Sequence, residues 1–265
     1  MHNFFIAVIL GIVEGITEFL PISSTGHLII VNNFIGFTGD FAKLFEVFIQ
    51  IGAIIAALWY FRKKLIPYAF GNGVEESTNI LTTWKKIIVA IIPALVLGKL
   101  FGDAIDAHLF NPTVVAVALI IGGVILIWVE RKQLNASVRD MMQLSYRTAF
   151  FIGLIQCLAL VPGTSRSAAT IVGALLLGLA RPLAAEFSFF LAIPTLTAAS
   201  AYSLLKYHDA LSGNVGTLAV GTIVAFISAL FVIRVFMNYI SKKNFIPFGW
   251  YRIILGLLIF LPILF

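Results

Sequence analysis

Charge is scarce in this chain, and so is cysteine. Asp, Glu, Lys and Arg make up 11% of its 265 residues, and only 12 of these are acidic. Soluble domains carry roughly a quarter charged residues, so this composition excludes an ordinary soluble globule. The single Cys157 excludes an intramolecular disulfide and leaves the redox compartment open. The apolar runs lack the alternation of membrane β-strands, which argues against a barrel. The N-terminus has neither a basic flank nor a small-residue cleavage site, so its apolar stretch reads as retained rather than as a signal peptide.

What remains is overwhelmingly apolar. Hydrophobic residues account for 60% of the chain and mean hydropathy is +1.03. Most apolar runs are 17 to 25 residues long, matching the roughly 20 residues a helix needs to cross about 30 Å of hydrocarbon. The expected fold is an all-α polytopic membrane protein. The net charge of +6 then belongs to basic loops on one side of the membrane, and no nucleic-acid partner is expected.

Taken in order, Phe4 to Leu20 is apolar and ends at Pro21, and the second run, Leu28 to Phe37, reaches only about 15 Å at 1.5 Å per residue. The pair reads as a re-entrant hairpin (4–37) with PISSTG at its tip. Leu44 to Phe61, Trp84 to Phe101 and Asn111 to Val129 follow as full spans. After a polar connector (130–147), Thr148 to Val161 and Ala168 to Ala180 form a second short pair (148–180) around PGTSRS. Leu183 to Leu205, Val215 to Tyr239 and Phe248 to Phe265 complete three more spans.

Hairpin plus three spans thus occurs twice, as 1–129 and 148–265 of a single membrane domain. Weak internal similarity agrees: Gly11-Ile12-Val13-Glu14 matches Gly153-Leu154-Ile155-Gln156, and the segment from Leu20 matches that from Val161 with one residue deleted. An odd number of spans per unit turns the second over, giving an inverted-topology repeat in which the two tips converge at mid-membrane. Charge placement is consistent with this. Thirteen of the 18 basic residues, from Arg62 to Arg252, fall on one side. The positive-inside rule makes that side cytoplasmic and both termini periplasmic or extracellular.

The tips hold the chemistry. An ionisable residue at bilayer depth costs roughly 2.5 to 3.5 kcal/mol on insertion scales and needs protein, water or a ligand beside it. Glu14 and Glu18 lie four apart on a helical run, so their carboxylates share a face and repel unless a divalent metal or a shared proton intervenes. Ser23, Ser24, Thr25 and Gly26 open the second half-helix, where capping hydroxyls and free N–H groups can bind an anion. His27, three residues after Ser24, suits a base beside a hydroxyl nucleophile. The second tip offers Thr164, Ser165, Arg166, Ser167 and Thr170 at another helix start. The Arg166 guanidinium fits phosphate or carboxylate; its bland alternative is an ion pair to Glu14 or Glu18 that only holds the halves together. Capping alone would also account for the hydroxyls. Glu46, Glu186, Gln50 and Gln156 read as structural, and Asp103, Asp106, His108, His208 and Asp209 as loop residues.

EGITEFLPISSTGH (14–27) and PGTSRSAAT (162–170) resemble the two signature motifs of the undecaprenyl-pyrophosphate phosphatase, or bacitracin-resistance, family of bacterial inner-membrane enzymes. FEVFIQIGAI (45–54) and NFIPFGWYR (244–252) are also similar, so the resemblance runs end to end. It implies hydrolysis of a C55 polyprenyl diphosphate to the monophosphate carrier of cell-wall synthesis, in the bacterial plasma membrane, with Mg2+ or Ca2+ as the divalent cation. It implies a metal-associated Glu14 and Glu18, a nucleophilic Ser24, a catalytic His27, and phosphate binding by Ser165, Arg166 and Thr170. The expected partners are the lipid substrate and membrane lipid, with room for a homodimer. The competing class is a lipid-phosphate flippase or ion-coupled transporter, which uses the same architecture but does not require a Ser24 and His27 pair.

Overall fold

The computed structural model describes residues 2–264, with side chains at 4–32, 34–105 and 107–260. Its regular secondary structure is helical. Among the described residues the sole β-type pairing is an isolated parallel bridge between Val138 and Leu179. Among the described residues five helical stretches are long and apolar enough to cross a membrane: Asp40–Tyr60, Val74–Ile105, Pro112–Arg131, Arg181–Lys206 and Val215–Ile240.

The first short pair is α1 (His2–Thr17) and α2 (Ser24–Ile35), about 24 and 18 Å long. α1 stops before Glu18, which lies in the turn and is tied back by its N–H to the Glu14 carbonyl. Glu14 and Glu18 are therefore not both helical, contrary to the sequence expectation. Pro21 explains the early end, because it cannot donate to a helix and biases the residue before it away from helical geometry. The expected first span is α3 (Asp40–Phe48) and α4 (Gln50–Tyr60), interrupted only at Ile49 and followed by the single turn α5 (Arg62–Leu65).

α6 (Val74–Leu109) is 36 residues long and carries Pro93, far exceeding the expected Trp84 to Phe101. The apolar run marks only its middle; polar turns at both ends continue the helix, so Asp103 and His108 are helical rather than loop residues. Trp84 donates its indole N–H to the Leu65 carbonyl (2.8 Å), tying α6 to the end of α5. α7 (Pro112–Arg131) starts on an Asn111 cap with Pro at its first position, as helix chemistry favours.

The connector is ordered by contacts. The buried Lys86 ammonium donates to the Met141 carbonyl (2.8 Å), and Val138 exchanges backbone hydrogen bonds with the Gly178–Ala180 turn. The second short pair is α8 (Tyr146–Gln156), extended by a 3-10 turn to Leu160, and α9 (Arg166–Leu176). α10 (Arg181–Lys206), α11 (Val215–Ile240) and α12 (Ile246–Leu264) follow. The last expected span ended at residue 265, which lies outside the described residues; the apolar part described is Ile246–Phe260.

Packing is dominated by α1 on α11, α8 on α6, α7 on α12 and α4 on α11. Small residues permit the closest approaches. A Cβ on Gly15 would lie 2.5 Å from the Ala225 carbonyl oxygen, and one on Gly153 would lie 1.7 Å from that of Ala90. Such contacts replace the hydrophobic drive that lipid cannot supply between helices. The main core gathers Phe19, Phe61, Phe187, Phe189, Phe190, Phe236 and Phe245 around α4, α10 and α11, directly beside the two tips.

Candidate active site

Both tips end in the same local device. Ser23 caps α2 with φ 70°, accepting from the Gly26 N–H, and Ser165 caps α9 with φ 68°, accepting from the Ala168 N–H. Left-handed backbone at a serine costs on the order of 1–3 kcal/mol and persists only where surrounding structure imposes it. The capping hydroxyls expected at Ser23 and Ser165 are present, and they place Ser24 and Arg166 as the first helical residues of α2 and α9.

These two residues meet on Glu18. Ser24 Oγ donates to Glu18 Oε2 at 2.7 Å, and Arg166 Nη2 donates to Glu18 Oε1 at 2.9 Å. All three side chains are buried, Glu18 and Arg166 being 6% and 8% exposed. Arg166 also donates Nη1 to the Ser188 carbonyl (3.0 Å) and lies over the Phe19 ring (5.7 Å). Thr170 shares a 2.6 Å hydrogen bond with the Ser188 hydroxyl and donates to the Arg166 carbonyl. Ser167 Oγ donates to the Leu20 carbonyl at 2.9 Å, a second direct link between the tips, and pairs with Ser165 Oγ at 3.0 Å.

Glu14 stands apart. It is fully buried, and neither carboxylate oxygen has a hydrogen-bond donor among the described residues. It feels the like charges of Glu18 and Glu46 and the opposing charge of Arg166. An ionised carboxylate so placed carries a large desolvation cost, which a proton or a bound cation would remove. Glu14 thus fits a cation ligand, with Glu18 beside it.

His27 does not bond Ser24. Nδ1 lies 2.7 Å from the Ser23 carbonyl and Nε2 lies 2.7 Å from Tyr251 Oη. Because a carbonyl only accepts, Nδ1 carries the proton and the Nε2 lone pair accepts from the tyrosine hydroxyl. The two rings are stacked, 5.5 Å apart and 10° from parallel. The helical adjacency read from the sequence is present, but the Ser24 proton points at Glu18.

The remaining predicted residues flank this cluster. Thr25 lines a cavity of about 330 Å³ with Asn32, Lys43, Glu46 and Phe110. Within it the Asn32 amide donates to Glu46, so Glu46 is half-buried against α2 rather than solvated. Gly26 faces Leu119 of α7, and the Thr164 carbonyl accepts from Arg252 Nη2 at 2.9 Å. Gln156 donates to Thr195 at 3.4 Å, joining α8 to α10.

Four participants were not singled out as site residues from the sequence. Tyr251 and Arg252 close the stretch 244–252, where family similarity was the only signal. Ser188 and Phe19 had none, being a common residue in a long helix and an aromatic among many. Arg252 corrects a further expectation. It was counted among the cytoplasmic loop charges, yet it lies inside α12 and is wholly buried.

Comparison with known proteins identifies the family. The model of the family described as bacitracin resistance protein BacA matches residues 7–258. Undecaprenyl-diphosphatase 1 of Clostridioides difficile is 50% identical over 258 residues, covering 96% of this chain and 94% of that protein. Undecaprenyl-diphosphatase 2 of Rhodospirillum rubrum is 49% identical (96% and 92% covered), and undecaprenyl-diphosphatase of Pseudomonas putida KT2440 is 47% identical with the same coverage. With one family model matched along nearly the whole chain and relatives about half identical over 96% of it, the protein belongs to the bacitracin resistance protein BacA family.

Proposed function

We infer that this multi-pass membrane protein is an undecaprenyl-diphosphate phosphatase, a hydrolase that releases inorganic phosphate from the C55 diphosphate and returns the monophosphate carrier to cell-wall synthesis. That activity confers bacitracin resistance. The observation that carries the reading is the meeting of Ser24 and Arg166 on Glu18, in a chain nearly half identical to undecaprenyl-diphosphatases.

In the proposed mechanism the terminal phosphate displaces Arg166 from Glu18 and takes the guanidinium and the free N–H groups of α2 and α9 as its donors. Ser24 Oγ attacks phosphorus, its proton passing to Glu18, as the bond to the bridging oxygen breaks and the lipid monophosphate leaves. Water then attacks the seryl phosphate with His27 Nε2 taking its proton, the bond from phosphorus to Ser24 Oγ breaks as Glu18 returns its proton to Oγ, and phosphate departs. Ser165, Ser167 and Thr170 hold Arg166 and the second tip in place. A divalent cation, Mg2+ or Ca2+, would be held by Glu14 and Glu18 and would supply charge neutralisation to the phosphate oxygens.

The same reading makes each half, 1–129 and 148–265, a re-entrant pair plus three spanning segments in inverted orientation. Its support is the equivalent Ser23 and Ser165 caps and the corresponding pairings of α1 with α11 and of α8 with α6. Basic residues in the loops favour a bacterial plasma-membrane protein with both termini outside.

Phosphate release from undecaprenyl diphosphate by purified protein in detergent, with no ion gradient, tests the function. Metal-dependent release is expected. Absence of release, with gradient-driven movement of lipid phosphate in vesicles, would support a transporter instead.

A further inference from the structure

Arg252 is a fully buried guanidinium with no carboxylate among its described partners. Its donors all go to backbone carbonyls. Nε reaches Leu119 (3.4 Å), Nη1 reaches Pro21 (3.4 Å), and Nη2 reaches Ala118 (3.2 Å), Gly163 (3.2 Å) and Thr164 (2.9 Å). Pro21 belongs to the first tip, Gly163 and Thr164 to the second, and Ala118 and Leu119 to α7. One side chain therefore bonds both irregular turns and the helix behind them.

The chain makes room for it. A Cβ on Gly122 of α7 would fall 2.2 Å from Arg252 Nη2 and 2.9 Å from its Cζ. Irregular backbone within a membrane is tolerated only where its polar groups are satisfied by protein or water, and the tip carbonyls find their donor in this guanidinium. Lysine could not replace it, since a single ammonium has three donors on one nitrogen, whereas the planar fork spreads five N–H groups over three.

We propose that Arg252 is a positioning residue for phosphoryl transfer, fastening the two tips to α7 and thereby setting the separation between Ser24 and Arg166. This rests on the phosphatase reading. The consequence is kinetic, because a misplacement of about 1 Å between reacting groups can cost about a hundredfold in rate.

The test compares Arg252→Lys, Arg252→Gln and Gly122→Ala with the parent enzyme, measuring kcat, KM and thermal unfolding on monodisperse protein in detergent. Gly122→Ala is the decisive variant, because it leaves the guanidinium and its charge intact and only displaces them. Expected is a fall in kcat of about a hundredfold in Arg252→Lys and Gly122→Ala, with KM within about threefold of the parent, the pattern of a lost transition-state interaction. A lowered Tm with kcat per folded molecule unchanged overturns the proposal, as does a raised KM at constant kcat. If none of the three variants folds, Arg252 is a structural residue only and the proposal again fails. A parent enzyme that releases no phosphate overturns the phosphatase reading first, a result distinguishable from all of these.

Discussion

Glu18 accepts hydrogen bonds from Ser24 on one oxygen and Arg166 on the other, although Arg166 lies 148 residues further along the chain. One carboxylate thus holds together a hydroxyl from the first tip and a guanidinium from the second. Removing it should be costly. Glu18→Ala leaves Arg166 buried and without its charge partner, for which about 3–5 kcal/mol of stability is expected to be lost. Thermal unfolding in detergent measures this, and an unchanged Tm would falsify the pairing.

Ser24→Ala separates chemistry from folding. The Ser24 hydroxyl donates one hydrogen bond, so stability should fall by only about 1 kcal/mol. Phosphate release should fall by about three orders of magnitude or more if Ser24 is the nucleophile. Turnover close to that of the parent would instead assign the attack to water activated by His27.

Glu14→Gln should behave differently from Glu18→Ala. Among the described residues neither Glu14 oxygen has a donor, so a neutral amide of the same shape breaks no hydrogen bond to the protein and should not lower Tm. Titration of the parent with Mg2+ or Ca2+ is expected to raise Tm through binding to the native state. In Glu14→Gln that shift should disappear; an undiminished shift would place the cation elsewhere.

Tyr251→Phe keeps the ring stacked on His27 but removes the hydroxyl bonded to Nε2. Loss of one such hydrogen bond, worth about 1 kcal/mol, corresponds to roughly a fivefold change in rate if it orients the imidazole during catalysis. His27→Ala should cost about a hundredfold or more. Equal losses in the two variants would argue that Tyr251 itself transfers the proton.

Gly153→Ala probes the α8 to α6 contact. With 1.7 Å between the added Cβ and the Ala90 carbonyl oxygen, the helices must separate, at a cost of about 1–3 kcal/mol. Gly153 occupies the position that matches Gly11 in the internal similarity, and a Cβ there would lie 2.6 Å from the Gly221 carbonyl oxygen. Gly11→Ala should therefore lower Tm comparably. A large effect at only one of the two glycines would weaken the repeat.

The sequence alone determined the class of the fold, the order of short and long helices and the two polar tips, because each follows from local causes. Apolar length sets a span, Pro21 and Pro162 break the helices within the irregular turns, and a serine side-chain hydroxyl caps the helix that follows it. Helix ends were less legible. The polar turns that extend α6 carry no apolar signal, and the apolar run that marks α1 continues to Leu20, past the end of the helix at Thr17. Only the tertiary structure decided the partnerships: that Ser24 turns to Glu18 instead of His27, that His27 meets Tyr251, and that Arg252 is buried between both tips instead of exposed in a loop. Those choices are made between side chains far apart in the chain, where charge pairing and the need to satisfy buried polar groups outweigh proximity along a helix, and no local pattern encodes them.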